Sequence, residues 1–426
     1  MSRPLRSLAM LFLFILPAAL IAGAQTTSPA ATITGSDDRW SGDWDATVVV
    51  HGDRVPFHFA LLRDGAQLRA SFFDGDRPVD SAPAAVSGTT LHLEFSEYAT
   101  VLDLTLRDGH LQGSYRHPRS HKAPDLVFAA TRAGKTSPSE ALRGSWELWD
   151  EQHSYVGKLI VWEKSNQLSG AVLRPDGDSR TLTGSLRNGH LALSHFAGDA
   201  PTLLAGELDS AGRLALVAAS GHGRRQLRAL SPEQARAEAL PAPPNPYHAV
   251  RVKRNDDAFV FAFPAPDGTM FSSRDPRLVD KVVLISISGS WCPNCNDEAE
   301  LLRELYQRHH SEGLEAISLS FEVGEDAAFD RQRVSAFVAR HQLPYPVLLA
   351  GSIGELAKTL PQLIGLRDVP TTVFVGRDGH VAAIYEGFPS RATGIEHTLF
   401  RQETEQLLDH LLHRQPLDPE LAVVQP

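Results

Sequence analysis

The sequence predicts a multidomain protein in which a β-rich region precedes a C-terminal α/β domain. The chain has 426 residues, which is more than one compact domain usually contains. From about residue 36 to residue 230, short apolar stretches alternate with turn residues, whereas strand-like runs alternate with longer helical segments after Val250. The first pattern is typical of antiparallel strands with one buried face. The second is typical of a sheet covered on both faces.

The N-terminus has the pattern of a secretory signal peptide. Arg3 and Arg6 precede an uncharged run from Ser7 to Ala24, and this run is short for a membrane span. It ends in small residues, so we expect residues 1–24 to be removed by cleavage after Ala24. An uncleaved anchor is the alternative. We therefore expect an exported protein.

Two β-rich modules are predicted, at residues 36–133 and 142–230. The stretch around Trp44 is echoed around Trp146, and the stretch ending at Phe95 is echoed at Phe196, both at an offset of about one hundred residues. These echoes favour an internal duplication, in which the modules either pack together or close into one barrel or sandwich. Chance similarity between turn-rich β sequences is the alternative.

A proline-rich linker at residues 231–250 marks the main domain boundary, and we expect it to begin with a helical turn. The α/β domain is predicted at residues 251–414, followed by a flexible tail at 415–426. Its predicted strands are "FVFAF", "KVVLISIS", "LEAISLSF", "YPVLLA", "TTVFVG" and "VAAIYE". Its predicted helices run from Pro293 to His309, from Asp330 to Arg340 and from His397 to His413.

Charge and cysteine content exclude several classes of function. The formal net charge is -10, from 51 acidic and 41 basic residues, and no basic block stands out, so we do not expect nucleic acid as a partner. The chain has only two cysteines, Cys292 and Cys295, in the stretch "GSWCPNC". A tetrahedral zinc site needs four ligands, and the sequence offers no second Cys pair, so we expect neither a metal nor another cofactor. An inert structural disulfide is the remaining alternative.

The two cysteines occupy the junction between a strand and a helix. Pro293 suits the first turn of a helix, so Cys292 lies at the helix N-terminus, where the exposed amides and the dipole stabilise a thiolate. Cys295 lies one turn deeper, on an apolar stripe with Ala299 and Leu302, and therefore faces the core. This asymmetry predicts that Cys292 attacks a disulfide and that Cys295 resolves the mixed disulfide.

At this point the sequence resembles a known family, over roughly residues 256–412. The stretches "FAFPAPDG", "KVVLISISGSWCPNC", "LSFEVGED", "YPVLLAG" and "VPTTVFVGRDGHV", in this order, resemble the TlpA/ResA-like periplasmic thiol-disulfide oxidoreductases. These proteins have a thioredoxin-like fold and belong to the redoxin (AhpC/TSA-like) superfamily. The resemblance implies that the exported protein works in the periplasm.

The resemblance also implies roles for individual residues. Pro370 corresponds to the cis-proline that faces the cysteines, and the adjoining Val369 and Thr371 to the backbone that pairs with a client peptide; an ordinary trans-proline is the alternative. Glu298 corresponds to an acid that acts near the cysteine pair, although it could instead be a solvated acid favouring the helix N-terminus. Trp291 is expected to shield the disulfide or simply to pack. The chain departs from the family pattern at Ser288, where an aromatic residue is common.

Three functions follow from these observations. The first is a periplasmic dithiol-disulfide oxidoreductase that acts on protein clients, as a reductant kept reduced by a membrane partner. The second is a thiol peroxidase, but the proline and threonine of the Pro-x-x-x-Thr-x-x-Cys motif are replaced by Ile285 and Gly289. The third is a binding or adaptor protein in which the β modules hold a partner and the redox domain is subordinate.

Overall fold

The computed structural model describes residues 39–415, apart from 66, 118–123, 135–137, 165–166, 222, 255–257 and 325. The predicted signal peptide at 1–24 and nearly all of the predicted tail at 415–426 lie outside the described residues. Within those described ranges, no helix combines the length and the apolar character that crossing a membrane requires.

The first nine strands form one open antiparallel sheet. Its spatial order is β4-β3-β2-β1-β9-β8-β7-β6-β5. Side chains alternate between the two faces, so that along the first strand Trp44, Ala46, Val48 and Val50 are buried. The strands are β1 (Gly42–Val50), β2 (Asp53–Asp64), β3 (Gln67–Asp74), β4 (Arg77–Asp80), β5 (Ala85–Ser87), β6 (Thr90–Phe95), β7 (Thr100–Arg107), β8 (His110–Arg116) and β9 (Leu126–Arg132).

The next nine strands build a closed barrel of eight strands. Neighbours follow the order β11-β10-β18-β17-β16-β15-β14-β12, and the pairing of β11 with β12 closes the ring. The two-residue β13 pairs antiparallel with the end of β12. Closure leaves no unpaired edge in the barrel wall. The strands are β10 (Gly144–Trp149), β11 (Tyr155–Lys164), β12 (Gln167–Arg174), β13 (Gly177–Asp178), β14 (Leu182–Arg187), β15 (His190–His195), β16 (Thr202–Leu208), β17 (Leu214–Ser220) and β18 (Gly223–Leu230).

The two β modules share a hydrophobic core, so they pack together. Phe196, just after β15, inserts among the aromatic residues of the open sheet, and its ring centroid lies 4.6 Å from that of Phe57. The hydroxyl of Tyr115 donates to the carbonyl of Asp199 at 2.8 Å. Of the two arrangements predicted, packing side by side is the one observed, with a sheet and a barrel as the partners.

The linker begins with a short helix, as predicted. Helix α1 (Pro232–Ala237) is capped by Ser231, whose side chain accepts from the backbone N–H of Gln234 while the Gln234 side chain accepts from the backbone N–H of Ser231. The chain then passes through a 3-10 turn at Pro246–His248 into the C-terminal domain.

The C-terminal domain contains a five-stranded mixed sheet in the order β24-β23-β22-β26-β27. The central strand is buried throughout. The fourth strand in this order runs antiparallel to its two neighbours, and the other four strands run in one direction. Its elements are β19 (Arg251–Val252), β20 (Ala262–Pro264), β21 (Met270–Ser272), β22 (Val282–Ser288), α2 (Pro293–His309), β23 (Leu314–Glu322), α3 (Ala327–His341), β24 (Val347–Ser352), α4 (Leu356–Thr359), β25 (Leu363–Ile364), β26 (Thr371–Val375), β27 (Val381–Glu386) and α5 (Ile395–Leu412).

Both faces of this sheet are covered, as the apolar runs predicted. Along β22, Val282 and Leu284 belong to the cluster formed with α2, α3 and α5, whereas Val283, Ile285 and Ile287 belong to the opposite cluster. The predicted bounds of α2 are confirmed, and those of α3 and α5 differ by one to three residues at each end. The predicted strand "FVFAF" is largely irregular, because only its last two residues lie in β20.

Candidate active site

The cysteine pair lies where β22 passes into α2. Cys292 is the N-cap residue of α2, and its Sγ accepts a hydrogen bond from the backbone N–H of Cys295 at 3.3 Å. Both thiols are free, with 5% of Cys292 and 1% of Cys295 exposed. An N-terminal amide directed at a sulfur stabilises negative charge there. The fold thus directs a backbone N–H of the first helical turn at the less buried sulfur.

The cis-proline loop lies against the first cysteine. The Val369-Pro370 peptide bond is cis, as the resemblance implies, and the Cys292 thiol is 3.6 Å from the carbonyl oxygen of Val369. Thr371 begins β26, and its hydroxyl donates to the carbonyl of Asp368 at 3.1 Å. The cis-proline loop singled out in the sequence therefore contacts Cys292 through the carbonyl of Val369.

The environment of Cys295 disfavours its ionisation. Burial raises the pKa of the Cys295 thiol, and the neighbouring Cys292 and Glu298 raise that pKa further. The Ser288 hydroxyl opposes the shift as a hydrogen-bond partner of the sulfur. Cys295 therefore needs a proton acceptor before it can act as a nucleophile.

Glu298 is a buried carboxyl group, and only 2% of it is exposed. It is held by two hydroxyl groups, because Ser286 donates to Oε2 and Thr372 to Oε1, each at 2.5 Å. Burial raises the pKa of Glu298 to about 7, although the two hydrogen bonds oppose the shift. The solvated alternative considered for Glu298 is not what the structure shows. A side chain with this pKa can accept or release a proton near neutral pH.

Ser286 and Thr372 were not among the residues predicted for the site. Both lie on strands of otherwise apolar character, β22 and β26, where a polar side chain needs a buried partner. In "LISIS" the serines alternate with isoleucines, which places both serines on the same face of the strand. This alternation indicated that this face of the buried strand lies against a polar group.

Trp291 is half-buried and packs on the cluster that contains both cysteines. Its indole N–H donates to the carbonyl of Phe321 at 2.9 Å. The ring passes so close to Gly289 that a Cβ atom there would lie 2.6 Å from the indole nitrogen. Gly289 is therefore required by the close approach of this ring.

A second buried acid braces the turn before the cysteines. Glu322 accepts from the backbone N–H of Ser290 at 3.0 Å and from its hydroxyl at 2.8 Å. Asn296 donates to the carbonyl of Cys292 at 2.9 Å and accepts from His341 at 2.7 Å. These contacts, which the sequence did not reveal, fix the backbone on both sides of Cys292.

The β region contacts the active-site helix through charged side chains. The buried Arg180 of the barrel donates to Asp74 of the open sheet at 2.7 Å, and its guanidinium lies 3.4 Å from Asp297 on α2. Arg77 of the open sheet lies 3.1 Å from the other oxygen of Asp297. All three parts of the chain therefore meet at the first turns of α2.

Comparison with known proteins supports the assignment of the C-terminal domain. Residues 255–384 match the AhpC/TSA family. A relative, the thiol-disulfide oxidoreductase ResA of Bacillus thuringiensis subsp. konkukian (strain 97-27), is 30% identical over 107 residues, which are 25% of this chain and 56% of ResA. The C-terminal domain is similar to redoxins of the TlpA/ResA-like kind. Its architecture is the thioredoxin-like fold that the resemblance implied.

Two further proteins are similar to a comparable share of this chain. ResA of Geobacillus thermodenitrificans (strain NG80-2) is 27% identical over 128 residues, which are 29% of this chain and 67% of that protein. The crystal structure of a thiol:disulfide interchange protein of the thioredoxin family from Chlorobium tepidum TLS is 21% identical, with a TM-score of 0.30, and the match covers 37% of this chain and 97% of that one. The chain spans only 56% of the length of the first of these curated relatives.

Proposed function

We propose that the chain is a thiol-disulfide oxidoreductase that exchanges electrons between the Cys292/Cys295 pair and protein clients. The observation that carries this proposal is the asymmetry of the two sulfur atoms. Cys292 Sγ accepts the N–H of Cys295 at 3.3 Å at the start of α2, while Cys295 is 1% exposed. Cys292 is thus placed to attack a disulfide, and the buried Cys295 to resolve the mixed disulfide.

In the reducing direction, the Cys292 thiolate attacks one sulfur of a client disulfide. The client S–S bond breaks, a Cys292–client disulfide forms, and the released client thiolate takes a proton from water. Cys295 then loses its proton and attacks Cys292 Sγ, which forms the Cys292–Cys295 disulfide and releases the second client thiolate. The second client thiolate then takes a proton from water as well, so the client gains two electrons and two protons. Counted from its dithiol form, the cysteine pair loses two electrons and two protons, the first proton being the one released when the Cys292 thiolate forms.

Glu298 is proposed as the proton acceptor for Cys295. Its pKa of about 7 leaves it partly ionised at neutral pH, and its charge already influences the Cys295 thiol. A base whose pKa lies close to the working pH is present in its ionised form in a useful fraction and still binds a proton strongly enough to take it from the thiol.

The client is proposed to bind beside the cis-proline loop. Val369, Pro370 and Thr371 lie at the carbonyl that contacts Cys292, and Trp291 lines the same cluster. Backbone groups at the start of a strand can pair with an extended peptide. This arrangement would bring the client disulfide to Cys292.

We further propose that the protein works in the periplasm as a reductant, with a membrane dithiol protein that restores the reduced pair. Support for the location comes from the signal-peptide pattern of residues 1–24. Mass spectrometry of the exported protein should find Gln25 at the mature N-terminus. An N-terminus at Met1 in the cytosol would contradict this location.

A trapping experiment tests the proposed activity. Cys295→Ser should accumulate mixed disulfides between Cys292 and clients, because the resolving thiol is gone, and Cys292→Ser is the matched control that should trap none. Failure of Cys295→Ser to trap a disulfide-bonded client protein that a known oxidoreductase does trap would contradict the proposal. Fast oxidation of Cys292 by low concentrations of peroxide, without disulfide exchange, would favour the peroxidase alternative.

A further inference from the structure

The barrel reaches the cysteine pair through one buried acid, Asp178. Asn294, the second residue between the two cysteines, donates through Nδ2 to Asp178 Oδ1 at 3.1 Å, and its Oδ1 accepts from the backbone N–H of Asp178 at 3.4 Å. Only 3% of Asp178 and 8% of Asn294 are exposed. A residue from a separate domain is therefore bonded inside the active-site motif.

The backbone on both sides is shaped for this close approach. Gly177 has a φ of +134°, and a Cβ atom there would lie 2.8 Å from Asn294 Oδ1. A Cβ atom on Gly387, which follows β27, would lie 2.7 Å from the nitrogen of Gly177. Only glycine combines this conformation with this contact.

The same carboxylate holds a second segment of the redox domain. Asp178 Oδ2 accepts from the backbone N–H of Ser390 at 2.5 Å, and Oδ1 also accepts from the backbone N–H of Arg180 at 2.7 Å. Burial raises the pKa of Asp178, while these N–H donors favour its ionised form. Asp178 therefore ties the first turn of α2 to the segment that follows β27.

This position affects Cys292 in two ways. Holding Asn294 fixes the turn whose next amide, that of Cys295, is directed at Cys292 Sγ. In addition, the negative charge of a carboxylate near the same helix N-terminus disfavours a second negative charge on the Cys292 sulfur. Both effects come from the barrel and not from the redox domain.

We propose that Asp178 is a positioning residue of the redox site, which acts through Asn294 to fix the first turn of α2 and to limit the reactivity of Cys292. This inference rests on the proposed function of the cysteine pair. It gives the β region a role in the chemistry in addition to any binding role.

An exchange of the two side chains tests the inference in the full chain. Asn294→Asp places two carboxylates face to face and should slow alkylation of Cys292 by iodoacetamide about tenfold, which corresponds to about 30 mV if the whole effect reaches the redox equilibrium. Asp178→Asn combined with Asn294→Asp restores an acid-amide pair and should recover most of the lost rate. The matched control combines Asn294→Asp with Asp103→Asn, which removes a carboxylate whose partners are His92 and Arg116. That control should recover nothing.

Equal rates for the exchanged pair and for Asn294→Asp alone would overturn the inference, as would equal recovery in the Asp103 control. If Asn294→Asp fails to fold, the single variants decide: Asp178→Asn should speed alkylation at least about threefold, and Asp103→Asn should leave it unchanged. An unchanged rate in Asp178→Asn would then overturn it. Failure of the wild-type pair to equilibrate with glutathione would instead contradict the proposed function, and the alkylation rates would still test Asp178.

Discussion

The proton acceptor of the resolving step can be tested by removing one hydroxyl group. Thr372→Val deletes the hydroxyl that donates to Glu298 Oε1 at 2.5 Å and keeps the shape of the side chain. A hydrogen bond to a charged group contributes about 1.5 kcal/mol or more, so its loss should raise the pKa of Glu298 by about 1. Since that pKa is about 7 in the wild type, the ionised fraction at pH 7 should fall from about one half to about one tenth.

The rate of resolution reports this fraction directly. A disulfide is first formed between Cys292 and a client peptide, and release of the peptide is followed in a single turnover from pH 6 to pH 9. We expect the wild-type rate to rise through about pH 7, and the Thr372→Val rate to be about fivefold lower at pH 7 and to rise through about pH 8.

Thr404→Val is the matched control, because the buried Thr404 hydroxyl has no hydrogen-bond partner among the described residues. Its pH profile should match that of the wild type. If the Thr372→Val profile also coincides with the wild-type profile, Glu298 is not the proton acceptor of Cys295.

Three further predictions concern stability. Burial raises the pKa of Glu298 from 4.5 to about 7, so the unfolding free energy of the wild type should fall as the pH rises through this window. Between pH 4 and pH 8, Glu298→Gln should lose about 3 kcal/mol less unfolding free energy than the wild type. Urea titrations at the two pH values measure this difference. Arg180→Met removes the buried cation that is hydrogen-bonded to the half-buried Asp74 and should cost about 3–5 kcal/mol, measured by the same titration. An unchanged midpoint would contradict the importance of this contact. Gly289→Ala should displace the Trp291 ring and cost about 1–3 kcal/mol, with a change in tryptophan emission; a wild-type spectrum and stability would show that the turn adapts freely.

The local features of the redox site could be predicted from the sequence because adjacent residues determine them. Pro293 fixed the start of α2, and the apolar stripe through Cys295 identified the buried thiol. The burial of Glu298 was less accessible, because the hydroxyl groups that hold it come from two different strands. Local periodicity does not indicate which strands become neighbours.

Contacts between distant parts of the chain were beyond sequence reasoning. Asp178 and Asn294 are 116 positions apart, and neither residue type nor spacing relates them. The alternation of apolar residues predicted strands in the β region, but the pairing of β11 with β12 that closes the barrel depends on long-range register. The same holds for Phe196, whose neighbours belong to the other module.

Equilibration of the full-length protein with glutathione tests the central claim most directly. The fraction of Cys292–Cys295 disulfide, measured by mass spectrometry after alkylation, should follow a two-electron transition near the reducing end of the range from about -270 to about -120 mV. Thiols that stay reduced at every ratio of glutathione to its disulfide, or that form only adducts with glutathione, would show that the two sulfur atoms do not act as a pair.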